Sequence, residues 1–222
     1  MNRCEYTKTE LANFALSKLG SDRVQLSNFT NDTGTIKDTV NLFFTSVLEE
    51  LTAMAAWNCC ITSTQLTTEL STPTFGYDNS YALPTNAIRI YYVSANTGGG
   101  YKNKPADYEV NVVGSVRVLN TNVTDPHIVF TRIPEDTDAA DGKDYTIMDS
   151  LFARAFYTLL AARMCVSITG NSDLESALLD EFYNIALPDA LRCDAIEGKQ
   201  IVQIGEDYKE VCINTYKTFE KV

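Results

Sequence analysis

The period of the apolar positions changes twice along the chain. From Thr7 to Leu19 they recur at Leu11, Phe14, Ala15 and Leu19, three and four residues apart, which predicts a helix with one apolar face. Gly20 follows as a helix-ending residue. After a loop rich in Ser, Asn, Asp and Thr, a longer helix is predicted from about Thr35 to Trp57. Its stripe is Ile36, Val40, Phe43, Phe44, Val47, Leu48, Leu51, Met54 and Ala55. Two helices joined in this way are expected to pack as an antiparallel hairpin.

From Cys60 the texture changes. Thr, Val, Ile and Tyr become dense, and Pro and Gly punctuate the runs. Ile61 to Thr68 alternates weakly, and Ala87 to Ser94 alternates well. Tyr108 to Val113 and Val116 to Leu119 flank Gly114-Ser115, a glycine-first pair suited to a type II′ turn. His127 to Ile133 reads as a further strand. Together these predict one mixed or antiparallel sheet of four to six short strands. The helical period then returns over Leu151, Phe152, Ala155, Leu159, Ala162, Met164 and Val166, with Thr146 as its cap and Gly170 as its end. Ser172 and Glu175 suggest a capping box for a fourth helix carrying Leu174, Leu178, Leu179, Phe182 and Ile185. Pro188 is expected to kink or end it, although the pattern resumes to about Ile196.

The expected fold class is therefore α+β: a four-helix bundle formed by N- and C-terminal helices, with an inserted antiparallel or mixed β-region. The expected divisions are a helical hairpin at 1–59, the β-region at 60–145, the completing helices at 146–197 and an arm at 198–222.

Charge narrows the function. With 29 acidic residues against 18 basic ones, the net charge is −11. Gripping a phosphate backbone requires clustered Lys and Arg, and the densest basic stretch is only Lys102 and Lys104. Tight nucleic-acid binding is not expected. No secretory leader is expected either, since Met1 to Glu10 has no apolar core. Nor is any apolar run expected to reach the roughly 20 residues of a membrane span. The six cysteines (4, 59, 60, 165, 193 and 212) lack CxxC spacing. They read as reduced, mostly buried thiols, and the adjacent Cys59 and Cys60 are poorly spaced for a metal. The Asn-x-Thr sequons at Asn28, Asn31 and Asn122 matter only on a secretory route.

Chemistry is sparse. The single histidine, His127, stands in a strand pattern, and no GxSxG elbow accompanies it. The acidic run Glu135, Asp136, Asp138, Asp141, Asp144 fails the calcium-loop register. With Gly142 at the sixth position, Thr137, Ala139 and Asp141 fall on the first three ligand places. A solvated loop is the simpler reading, with an intersubunit cation site as the other. Gly98, Gly99 and Gly100 lack the phosphate-loop frame. No catalytic residue, metal or cofactor is expected.

Five stretches, in order, carry a resemblance. Leu11 to Gly20 is similar to an "A-L-x-x-L-G" opening. Ala56-Trp57-Asn58 is similar to "W-N-F-A", with Cys59-Cys60 where an aromatic and a small residue are usual. Tyr77 to Pro84 with Arg89-Ile90 is similar to "Y-x-Y-x-L-P-x-D-x-x-R-I", with Asn86 in place of the acidic residue. Tyr108-Glu109-Val110 and Gly114 to Leu119 are similar to "Y-x-V-x-G-x-x-I-L-T". Phe152 to Ala162, Thr169-Gly170 and Tyr183 are similar to "F-x-x-A-L-x-x-x-L-A…L-T-G…Y". Over residues 9 to 197 the chain thus resembles the tail tubular protein A family, the head-to-tail adaptors of short-tailed bacteriophages.

The resemblance implies a structural virion protein without catalytic residues, assembled in the host cytoplasm. It implies a dodecameric ring between the portal protein and the tail nozzle, with double-stranded DNA crossing the lumen unbound. Ile201, Val202, Ile204, Tyr208, Val211 and Ile213 have no home in the predicted helices, so 198–222 is expected to be a portal-docking arm. Gly98, Gly99 and Gly100 are the expected tail-facing loop. Two other readings stand beside this one. The first is another neck or head-completion protein, and the second is a phage-associated hydrolase using an unrecognised carboxylate pair.

Overall fold

The computed structural model describes residues 6–20, 25–29, 31–67, 70, 76–95, 105–134, 145 and 148–197. Helix α1 (Lys8–Lys18) starts at a reciprocal cap: the Thr7 hydroxyl accepts from the Glu10 amide, and the Glu10 carboxylate accepts from the Thr7 amide. Helix α2 (Thr35–Met54) stops three residues short of Trp57. The indole then folds back beneath it, donating to the Leu51 carbonyl at 2.8 Å and so satisfying a helix-end acceptor. Helix α3 (Ser150–Thr169) is capped by Asp149, whose carboxylate accepts from the amides of Leu151 and Phe152; Thr146 lies outside the described residues. Gly170 ends α3 in the left-handed conformation, as the sequence suggests. Helix α4 (Ser172–Glu181) is capped by Asn171 rather than by Ser172.

The four-helix bundle with an inserted β-region does not form. The helical part is organised around α3 as a hub. It packs against α1, α2, α4 and α5 (Leu187–Glu197), whereas α1 and α2 do not pair as a hairpin, although Lys8 of α1 reaches Asn41 of α2. Eleven α3 residues are buried, on every side of the helix, among them Phe152, Phe156, Leu159, Leu160 and Met164. A helix apolar all round must be surrounded, and its neighbours supply the surround. By length and composition α3 could also cross a membrane, contrary to the expectation that no stretch would qualify. Since 61% of that apolar window is buried within the chain, packing accounts for its composition.

The strands also differ from expectation. Among the described residues there are two three-stranded antiparallel sheets, not one. With β1 (Ile61–Gln65), β2 (Asn79–Ala82), β3 (Ala87–Ser94), β4 (Tyr108–Val113), β5 (Val116–Thr121) and β6 (His127–Arg132), their orders are β1-β6-β3 and β2-β5-β4. The sheets share a core of Tyr81 and Leu119 with Val93, Ile128 and Phe130, separate from the helical core. Alternation along each strand sends these side chains inward. Arg117 on β5 stitches the sheets together by donating to the carbonyls of Ala87 and Ile88 on β3.

One polar group in the α3 hub lacks a match. The Thr158 side chain is fully buried, and its hydroxyl has no hydrogen-bond partner among the described residues. A buried, unpaired hydroxyl costs about 1–3 kcal/mol, and an apolar isostere removes that cost. Thr158→Val should therefore raise stability by about 1 kcal/mol. A lowered denaturation midpoint would show that the hydroxyl does have a partner.

Candidate functional site

The last described helical run departs from regular α-helical geometry. Between α4 and α5, Phe182–Ala186 forms a π-helical turn in which the Leu187 amide reaches back to the Phe182 carbonyl. Pro188 follows it after one intervening residue, Leu187. It supplies no amide, and its ring crowds the preceding turn; the wider π-turn absorbs both without breaking the helix. The extra residue also rotates the helix beyond it. Phe182 stays fully buried, but Tyr183 is 50% and Ile185 48% exposed, although Ile185 belongs to the predicted inward stripe. Beyond the turn, Leu191 and Ile196 also face outward, Ile196 at 80% exposure.

Charged side chains hold this segment from below. Arg154 on α3 approaches Glu181 before the turn at 3.9 Å and Asp189 after it at 3.8 Å. Lys18 of α1 pairs with the same Glu181 at 2.6 Å. Farther along α3, Arg163 forks onto Glu50 of α2 at 2.5 Å, which holds its guanidinium even more firmly protonated than usual. Each pair is partly exposed, so each is worth at most about 1 kcal/mol. Their joint effect is positional: they fix which helix face is left outward.

A second apolar surface lies at the end of the β-unit. β4 and β5 join through the two-residue turn at Gly114-Ser115, with Val113 opposite Val116 in register. Gly114 has φ +64°, a conformation that favours glycine, while Ser115 does not share the positive φ; this agrees with the turn predicted from sequence. Near the sheets, Tyr108 and Val110 pack against the β-core. Toward the turn, Val112 (68%), Val113 and Val116 are exposed. Neighbouring side chains leave opposite faces of a strand, so Val112 and Val113 make both faces of the tip apolar.

No protein-family model matches the chain, and no curated protein matches it either.

The residues singled out from sequence are placed only in part. Gly98, Gly99 and Gly100, the acidic run at 135–144 and the arm residues Ile201, Val202, Ile204, Tyr208, Val211 and Ile213 all lie outside the described residues. His127 begins β6, half-buried, opposite Gln65 on β1 and Ser94 on β3. Its Nε2 is buried without a hydrogen-bond partner among the described residues, and no hydrogen bond joins it to Ser94. That geometry provides no proton relay. Among the described residues, no three His, Cys, Asp or Glu side chains cluster as metal ligands would.

Proposed function

We propose that the chain is a structural virion protein, a ring-forming head-to-tail adaptor that joins a portal protein to the tail nozzle of a short-tailed bacteriophage. The ordered resemblance over residues 9 to 197 motivates the reading. The observation that carries it is the pair of unlike exposed apolar surfaces on one chain, the valine tip of β4–β5 and the outward side of the π-turn and α5. A protein that stacks between two partners and repeats around an axis needs distinct surfaces rather than a single self-complementary patch. The net charge of −11 suits a channel wall that lets DNA slide. In this reading the neighbours are the portal, the tail nozzle and other copies of the chain, as a dodecamer. The hydrolase alternative needs a free carboxylate pair; Glu50, Glu181 and Asp189 are not candidates for it, since each is engaged by an arginine.

The test is the mass of the chain alone and mixed with the portal and nozzle proteins. The expected result is a ring that forms on the portal. Val112→Asp with Val113→Asp should leave the melting temperature unchanged and weaken nozzle binding about tenfold or more, as loss of an interface anchor does. Removing 198–222 should abolish portal binding. A stable monomer that ignores both partners overturns the proposal.

A further inference from the structure

The short stretch between the two cores contains a pair of thiols that the proposed function does not use. Asn58–Cys60 form one 3₁₀ turn leading into β1. In an extended strand, neighbouring side chains point to opposite faces. Here the turn brings them to the same side, and the Cys59 and Cys60 sulfurs lie 3.7 Å apart. Cys165 and Cys193, the other described cysteines, make no such sulfur–sulfur contact. The two members of the pair differ in access: Cys59 is half-buried and Cys60 is fully buried.

We propose that Cys59 and Cys60 form a reversible vicinal disulfide, made by exchange with a low-molecular-weight disulfide that enters at Cys59. The inference is independent of the adaptor reading. In the first step, the Cys59 thiolate attacks one sulfur of the small disulfide. A protein–small-molecule S–S bond forms, the original S–S bond breaks, and one small thiolate leaves. In the second step, Cys60 attacks the Cys59 sulfur and expels the second small thiolate, which takes up the Cys60 proton as it leaves. The protein loses two electrons and two protons in all, and the small disulfide is reduced to two thiols.

The surroundings define what the bond would do. Its contact with Cys59, and then burial, hold the Cys60 thiol well above the usual thiol range, so Cys60 waits protonated until Cys59 has reacted. Closing the ring draws the sulfurs from 3.7 Å to about 2 Å. Neighbouring Cα atoms are only about 3.8 Å apart, closer than disulfide-linked residues usually are, so the bond is strained and readily reduced. A strained disulfide suits a switch rather than a staple. The turn cannot absorb the change alone. The Asn58 amide and side chain are bonded to Asp194 at 2.8 and 2.6 Å, and the Cys60 and Ile61 amides both donate to the Trp57 carbonyl. Oxidation would therefore move the seam where β1 leaves the helical core.

The full chain can report on this directly, because it has one tryptophan, Trp57, buried against Phe152 with ring centroids 5.0 Å apart. Oxidised glutathione is added to the folded protein, and peptide masses are read with tryptophan emission. The expected product has lost the mass of two hydrogens within the peptide holding both cysteines, retains no glutathione and shows reduced Trp57 emission. A reducing agent should restore it. Cys60→Ala should trap glutathione on Cys59, and Cys59→Ala should leave Cys60 unreacted. The proposal is overturned if wild-type protein keeps glutathione on Cys59, joins Cys59 to another cysteine such as Cys193, or leaves both thiols free in excess oxidant. Should Cys60→Ala fail to fold, the wild-type masses decide alone.

Discussion

Phe156→Ala should destabilise the chain by about 3–5 kcal/mol, enough to unfold much of a protein of ordinary stability. Phe156 is fully buried in the α3 hub, and its ring meets Phe44 of α2 edge-to-face at 4.9 Å. Removing it deletes apolar burial and leaves a cavity that neighbours fixed on several sides cannot fill. Phe14 is the internal control. It lies outside that core, 43% exposed on α1, with its ring against Tyr157 of α3. Phe14→Ala should therefore cost no more than about 1 kcal/mol. Urea denaturation of both variants measures the difference. Equal losses would mean that α3 is not the centre of the packing.

Asp194→Ala should cost about 1.5–3 kcal/mol, the worth of hydrogen bonds to a charged group whose partner is left unsatisfied. The Asp194 side chain accepts from the Asn58 amide at 2.8 Å, and the Asp194 backbone carbonyl accepts from the Asn58 side chain at 2.6 Å. Together they tie the end of α5 to the turn that begins the β-unit, across most of the chain's length. Alanine removes the first bond and leaves a half-buried amide without its acceptor. Asparagine keeps an acceptor oxygen there, so Asp194→Asn should recover much of the loss. Thermal melts of the two variants give the answer; an asparagine variant as unstable as the alanine one would show that charge, not this bond, is what matters.

Local signals in this chain are readable and non-local ones are not. The Gly114-Ser115 hairpin, the strand at Ala87 to Ser94 and the Gly170 cap each depend on a few consecutive residues, and each is found as expected. The Thr7–Glu10 box has an equally local signal, a threonine with a glutamate three residues later. The hub is hidden because a helix apolar on every side has no polar face to reveal which neighbours surround it. The division into two sheets depends on β6 pairing with both β1 and β3, contacts between segments far apart in sequence. Ile185 leaves its expected inward face for a sharper reason: one added residue in the π-turn breaks the regular spacing that places it there. The valine tip is legible as a hairpin but not as a surface, since alternation does not show where the partner sheet stops. Adjacent cysteines are plain in the sequence, yet only the 3₁₀ turn makes them a pair.

The two cores differ in how the chain reaches them, and this sets an order of events during synthesis. The β-unit is drawn from one continuous stretch, Ile61 to Arg132, whereas the helical core joins the first two helices to three that come last. On a ribosome, β1 to β6 can close while Leu11, Leu16, Phe44, Leu48 and Leu51 still wait for α3. At about 5–20 residues per second, the stretch from Arg132 to Thr169 takes roughly 2–7 s to add. For that interval the nascent chain is a finished β-unit trailing two sticky helices, and a chaperone that shields those helices would decide how much protein survives to fold.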